Sequence, residues 1–354
     1  MTRPYGLLRA GFPYLRTIGE FTNTSWPLDI AFGKEGRLYV LVSGGSGPVS
    51  ILNLDDEDLG SFGAPGFGLR LPSYKCNMGN EDRPVQEGAL LGQAQIAVDQ
   101  NELVYVSDEA TDRVTVYDRH GEYIRSWGER GSGDGQMDHP TGMAFDVEDN
   151  LYVVDSMNHR VLKFTRDGRP LDKWGSHGRS PGQFDTPWGI HIDEPGFIYI
   201  ADWRNDRIQK FTAEMDFVWE FGVSGSQDGE LNRPSGVAVD SDGDLYVCDW
   251  GNNRVQLFDP SGRFVQKFTG DATLSKSILR RMFTRNALYR RHRESGSLEM
   301  EKMFGRPRSV RIDREGHMFV PDYECMRIQV YKKEAYPLTE EQIVPPLRSP
   351  VLTV

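Results

Sequence analysis

The chain has 354 residues, 38% of them hydrophobic and 26% charged, with a formal net charge of −11. No apolar run approaches the roughly 20 residues of a membrane helix, so no bilayer-spanning helix is expected. Three cysteines, Cys76, Cys248 and Cys325, are too few and too scattered for a disulfide framework, and no signal-like apolar stretch follows Met1, so a cytoplasmic setting is expected.

Near the N-terminus, Tyr14-Leu15-Arg16-Thr17-Ile18-Gly19 reads as one strand ending in an apolar residue and glycine, much like Tyr123-Ile124-Arg125-Ser126-Trp127-Gly128 far downstream. The middle of the chain is periodic. Asp99, Asp146, Asp193 and Asp240 recur every 47 residues, Asp108, Asp155, Asp202 and Asp249 follow them by nine, and Arg113, Arg160, Arg207 and Arg254 by five more. Within one period, Gly142-Met143-Ala144-Phe145, Leu151-Tyr152-Val153-Val154, Val161-Leu162-Lys163-Phe164 and Leu171-Asp172-Lys173-Trp174 are separated by polar turn clusters. That pattern predicts four short strands. A unit of this size cannot bury both faces of its sheet alone, so the units pack face to face around an axis as propeller blades.

The fourth strands end at Phe62-Gly63, Trp127-Gly128, Trp174-Gly175, Phe221-Gly222 and, more loosely, Phe268-Thr269-Gly270. The unit from Ser309 to Tyr331 lacks a fourth strand, and the N-terminus has one to spare. The expected fold is all-β: a six-bladed propeller of four-stranded blades, closed by an N-terminal outer strand, forming one domain over 1–354. Blades are expected at about 25–63, 93–128, 140–175, 187–222, 234–270 and 306–331, the last completed by 12–19. Insertions fall at about 64–92 and 271–305, and a tail at 332–354.

The run Pro234-Ser235-Gly236-Val237-Ala238-Val239-Asp240, then Leu245-Tyr246-Val247-Cys248-Asp249, then Asn252-Asn253-Arg254-Val255-Gln256 resembles NHL-repeat β-propellers. The resemblance covers about residues 12–331 and implies the fold more than any function. Among the enzymes with this repeat is peptidyl-α-hydroxyglycine α-amidating lyase, whose metal is held by histidines at the channel mouth. The comparable starts of the inner strands here hold Leu28, Ala94, Thr141, Trp188, Ser235 and Arg308, none of them His. Zinc is therefore disfavoured as a cofactor. A calcium or magnesium ion on Asp29, Glu109 and Glu324 is kept as a candidate without a spacing signature.

Positions shared by every blade answer to the fold, so the repeated Asp and Arg columns are read as structural. Function is sought where the repeat breaks. Both insertions leave an outer strand and enter the next inner strand, which puts them on one face of the disc, where they would form a lid. The second carries a basic amphipathic helix over 273–293, which either packs on the acidic body or faces an anion. On the same face, the position after the repeated Asp holds Glu109, Ser156, Trp203, Trp250 and Tyr323. With Trp188, these aromatics predict a wall for a small ligand, beside Arg306 and Arg308 for an anionic group.

A column of inner-strand alanines, Ala31, Ala97, Ala144 and Ala238, is broken by His191 and Arg311, which implies either open space or a buried partner. His139, His191, Glu109 and Glu324 are the candidate acid/base groups. The reading is a propeller that binds a small polar, anionic or aromatic molecule and acts as a lyase or hydrolase. The alternative is a protein-interaction disc without chemistry. RNA is the weakest candidate, because without the seven basic residues between 273 and 293 the net charge would fall from −11 to −18.

Overall fold

The computed structural model describes residues 8–19, 24–44, 47–65, 87–276 and 302–337. Six four-stranded antiparallel sheets account for nearly all of it. In blade 1 the strands run Pro27–Phe32, Arg37–Val42, Val49–Asn53 and Asp58–Phe62; blade 2 begins at Gln93–Val98, blade 3 at Pro140–Phe145, blade 4 at Pro187–Ile192 and blade 5 at Pro234–Val239. Blade 6 is made from Arg311–Ile312, His317–Asp322, Arg327–Lys332 and, at its outer edge, Tyr14–Ile18. Each inner strand lies against the next, and His317–Asp322 lies against the inner strand of blade 1, so the ring closes.

The closing strand pairs Tyr14 with Tyr331, Arg16 with Val330, Thr17 with Gln329 and Ile18 with Ile328. Ile18 is fully buried. The expected closure is thus present, and it removes the free edge that blade 6 would otherwise expose. One element has no counterpart in the sequence reading: Leu8–Gly11 pairs with Glu334–Pro337 in a two-stranded ribbon, inside what reads as a tail. The centre of the predicted basic helix, the body of the first insertion and most of the tail lie outside the described residues. The described stems are Ala64–Pro65, pairing parallel with Ala89–Leu90, and the segment leading to Lys276. That second stem follows the outer strand of blade 6, where the Thr17 hydroxyl donates to Thr273 O at 2.6 Å, and Lys276 Nζ reaches Asp55 at 2.9 Å beyond it.

The second strands, such as Leu245–Asp249, are apolar almost throughout because neighbouring blades cover both their faces, whereas the outer strand Pro170–Trp174 is largely exposed. Between blades 3 and 4, Tyr152, Val154, Phe184, Ile190 and Ile200 form one core cluster. Each such side chain contributes roughly 1.5–3 kcal/mol on burial. Phe184, like Met137 and Leu231 one period either side, is a fully buried plug in the glycine-rich connector between blades.

The repeated pairs have the structural role read from the sequence in blades 3 to 6. Arg160 Nε meets Asp155 at 2.7 Å, and Arg207–Asp202, Arg254–Asp249 and Arg327–Asp322 repeat the bond at 2.7–2.8 Å. Each guanidinium then donates to carbonyls of the preceding connector, as Arg160 does to Ser132 and Gln136. Blade 2 differs. The first insertion replaces the connector there, Arg113 is exposed, and Asp108 accepts from the peptide N–H groups of Leu91 and Gly92 instead.

Candidate functional site

The face on which the second strands end and the inner strands begin is organised by backbone geometry. Short 3-10 turns at Ser156–Asn158, Trp203–Asn205 and Trp250–Asn252 start directly after the repeated Asp, and each ends in a left-handed residue, His159, Asp206 or Asn253. The side chain of that residue accepts the N–H of the residue preceding the next inner-strand proline. Thr186 N donates to His159 Nδ1 at 3.0 Å, Arg233 N to Asp206 at 2.7 Å and Arg306 N to Asn253 at 3.0 Å. The donors Thr186, Arg233 and Arg306, with Trp26 and His139, also sit at φ between 51° and 55°. Non-glycine residues adopt that conformation only where the surroundings hold them in it, a condition common at binding faces.

Three residues of the predicted wall come together. The Trp188 and Trp203 rings lie 6.2 Å apart and those of Trp203 and Trp250 6.1 Å apart, all partly buried. Guanidinium groups alternate with them: Arg233 lies 4.8 Å from the Trp203 ring, Arg306 5.6 Å from Trp250 and Arg308 4.7 Å from Tyr323. Arg306 is also paired at the exposed rim with Glu324 at 3.1 Å, so neither of that pair is free. Arg233 was not among the residues read as the wall; its position over the Trp203 ring makes it part of it.

Glu109 is partly buried in the corresponding turn of blade 2, its N–H bonded to Gly92 O at 2.7 Å. Burial pushes its carboxyl above the ordinary range, opposed by the charges of Arg308 and His139. Those two groups therefore act on Glu109 from blades 6 and 3. The Nδ1 of His139 lies 2.6 Å from Asp138 Oδ1, a partner the sequence reading missed. Asp138 occupies the connector position that holds Asp185 and Asn232 one and two periods later, so its sequence signal is that of an ordinary loop residue.

His191 and Arg311 have buried partners. Arg311 Nε donates to Asp29 Oδ1 at 2.9 Å, with a second bond from Nη2 to Oδ2, and Asp29 is fully buried. This corrects the expectation of a cation on Asp29, Glu109 and Glu324: Asp29 is already neutralised by Arg311, and Glu324 faces Arg306. His191 is partly buried, and this confinement decides its chemistry because packed protein solvates a cation poorly. Burial first, and then the charge of Arg311, push its imidazole down to about 3. His191 is therefore neutral at ordinary pH.

Three clusters among the described residues have the composition of a cation site, and each is already satisfied. Lys333 Nζ sits 2.6–2.7 Å from Asp240, Asp242 and Asp244, filling the cation position itself. In the group of Asp112, Asp138 and His139, the His139 N–H and ring occupy the carboxylates. In the group of His159, His177 and Asp185, the Nδ1 lone pair of His159 is taken by Thr186, which leaves a protonated Nε2 unsuited to a metal. The Cys325 thiol is pushed up to about 12 by burial and the nearby Asp322, and burial does the same to Cys248.

Residues 231–258 match the NHL repeat, and residues 86–164 match a family described as a six-bladed β-propeller. The chain is a six-bladed β-propeller that carries an NHL repeat. Solved structures show the same architecture. Virginiamycin B lyase from Staphylococcus aureus, in a complex with quinupristin, is 13% identical over 94% of this chain and 90% of its own, with a TM-score of 0.53. A Bacteroides thetaiotaomicron protein of unknown function is 18% identical over 92% and 76%, at 0.57. A chain of the nidogen/laminin complex is 18% identical over 69% and 80%, at 0.50. At these identities the propeller shares its fold with them and nothing finer follows. No curated protein matches the chain by sequence. No helix among the described residues is long and apolar enough to cross a membrane.

Proposed function

We propose that the loop face of this propeller binds a small organic molecule and acts on it as a lyase or hydrolase, with His139 and Glu109 moving the proton. The observation that carries the reading is the 2.6 Å contact from Asp138 to His139 Nδ1. A carboxylate there holds the ring with its proton on Nδ1 and leaves the Nε2 lone pair to accept one from a substrate. Glu109, raised by burial, is suited to hold a proton and return it to a leaving group. Trp188, Trp203 and Trp250 supply apolar area for the body of the ligand, while Glu324 and His191 stand apart from this pair. A lyase reading accords with the likeness in fold to virginiamycin B lyase. The free thiols Cys248 and Cys325 accord with a cytoplasmic setting.

The test is a panel of small polar and aromatic metabolites, read by thermal shift and turnover on the native chain and on His139→Gln, Glu109→Gln and Asp138→Asn. Turnover is expected to fall at least 100-fold in the first two and measurably in the third, with unfolding unchanged. A chain that responds to no small molecule, yet captures protein through this face, would belong to the alternative reading of an interaction disc.

A further inference from the structure

An enclosed guanidinium is costly unless an anion or a full set of acceptors meets it. The other enclosed arginines obey that rule: Arg160, Arg207, Arg254 and Arg327 each bond an aspartate at 2.7–2.8 Å, and Arg311 grips Asp29. Arg308 breaks it. Its Nε is buried without an acceptor, and among the described residues no carboxylate forms an ion pair with it. Nor is the side chain merely loose, since the guanidinium lies 4.7 Å from the Tyr323 ring. Its backbone is held at both ends, with Arg308 N donating to Pro321 O at 3.2 Å and Arg308 O accepting from Ser235 Oγ at 2.8 Å.

Other donors share the condition, Arg125 Nε, Trp127 Nε1 and Trp174 Nε1 among them, but Trp250 Nε1 lies on the adjacent blade of the same face. Arg306 and Arg233 differ, because both are exposed to water and Arg306 already has Glu324. The Arg308 charge acts on the Glu109 carboxyl, and no hydrogen bond joins the two.

We infer that Arg308 is the recognition point for a carboxylate carried by the ligand of the loop face. The inference rests on the proposed function and names its substrate class. The terminal nitrogens, neither buried nor hydrogen-bonded among the described residues, form a planar fork that matches the two oxygens of a carboxylate, and the Tyr323 ring fixes the plane of the fork. A single unpaired guanidinium offsets one negative charge, which favours a monoanion over a dianion such as a phosphate monoester. The ligand is thus a monocarboxylate with an aromatic or apolar body, bound with its charged end at blade 6 and its reacting end toward Glu109 and His139.

The probes are phenylacetate and phenylacetamide, nearly isosteric and differing in charge, titrated into the full chain and followed by tryptophan fluorescence and calorimetry. The acid is expected to bind at least tenfold more tightly than the amide. Arg308→Gln should abolish that ratio, Arg308→Lys should keep part of it, and Trp203→Ala should weaken both probes alike. If acid and amide bind equally in the native chain, or if Arg308→Gln leaves the ratio intact, the carboxylate inference fails and the loop-face site survives. If neither probe binds the native chain at millimolar concentration, both this inference and the ligand-binding reading fall. The acid-to-amide ratio of the native chain serves as the test even if a variant does not fold.

Discussion

His191 is held neutral by its surroundings, and that has a measurable thermodynamic sign. In the folded chain its imidazole is pushed down to about 3, whereas in the unfolded chain it has the ordinary value near 6.5. Below pH 6.5 the unfolded chain takes up a proton that the folded chain refuses, so acid favours unfolding. The stability due to this group is complete above the unfolded value and is lost as pH falls toward the folded one. Each pH unit in that window is worth about 1.4 kcal/mol, so between pH 6.5 and pH 5 the loss is about 2 kcal/mol. His191→Gln keeps a side-chain donor and removes the titration. Urea unfolding of both proteins at pH 7.5 and pH 5.0 isolates the effect, because every other ionisable group is common to them. The variant is expected to be the less stable at pH 7.5 and to gain about 2 kcal/mol relative to the native chain at pH 5.0. A difference that stays constant within about 0.5 kcal/mol would show that the folded imidazole protonates normally, and the argument from confinement would be wrong.

Three further outcomes are expected. Arg311→Met should cost about 3–5 kcal/mol in urea unfolding by leaving the Asp29 carboxylate buried and unpaired, and adding Asp29→Leu should recover most of it; a single variant as stable as the native chain refutes the pairing. Lys333→Ala removes the ammonium that fills the group of Asp240, Asp242 and Asp244, so millimolar calcium should stabilise the variant by more than about 1 kcal/mol and leave the native chain unchanged. With thiols near 12, about one molecule in ten thousand is a thiolate at pH 8, so Cys248 and Cys325 should resist iodoacetamide in the folded chain and react on unfolding, as peptide mapping would show.

The ring was readable because its determinants repeat. A column such as Asp155, Asp202 and Asp249 reports a bond made identically in each blade, and the unmatched strand at Tyr14 called for the gap at blade 6. The aromatic wall was readable for the opposite reason, since Trp203 and Trp250 depart from a column that elsewhere holds Glu109 and Ser156. Partnerships across blades were not readable. Asp29 and Arg311 lie 282 residues apart, and only ring closure brings them together. Asp138 was hidden because loop acids abound and nothing in the sequence says which one faces an imidazole. The exception in blade 2 was hidden too, because the Asp108–Arg113 spacing is kept although the connector that Arg113 would have gripped is gone. The unmet donors of Arg308 and Trp250 had no sequence signal at all, because a missing partner is a property of three-dimensional packing.

The ribbon of Leu8–Gly11 and Glu334–Pro337 continues from the end of the third strand of blade 6, where Lys333 N bonds to Gly316 O in the turn opposite the aromatic wall. Leu8 and Pro337 are register partners there. A tether or fused module led off from either position would therefore hang beneath the disc, and a molecule anchored to a sensor surface by that side would keep its tryptophans turned toward the flowing solution.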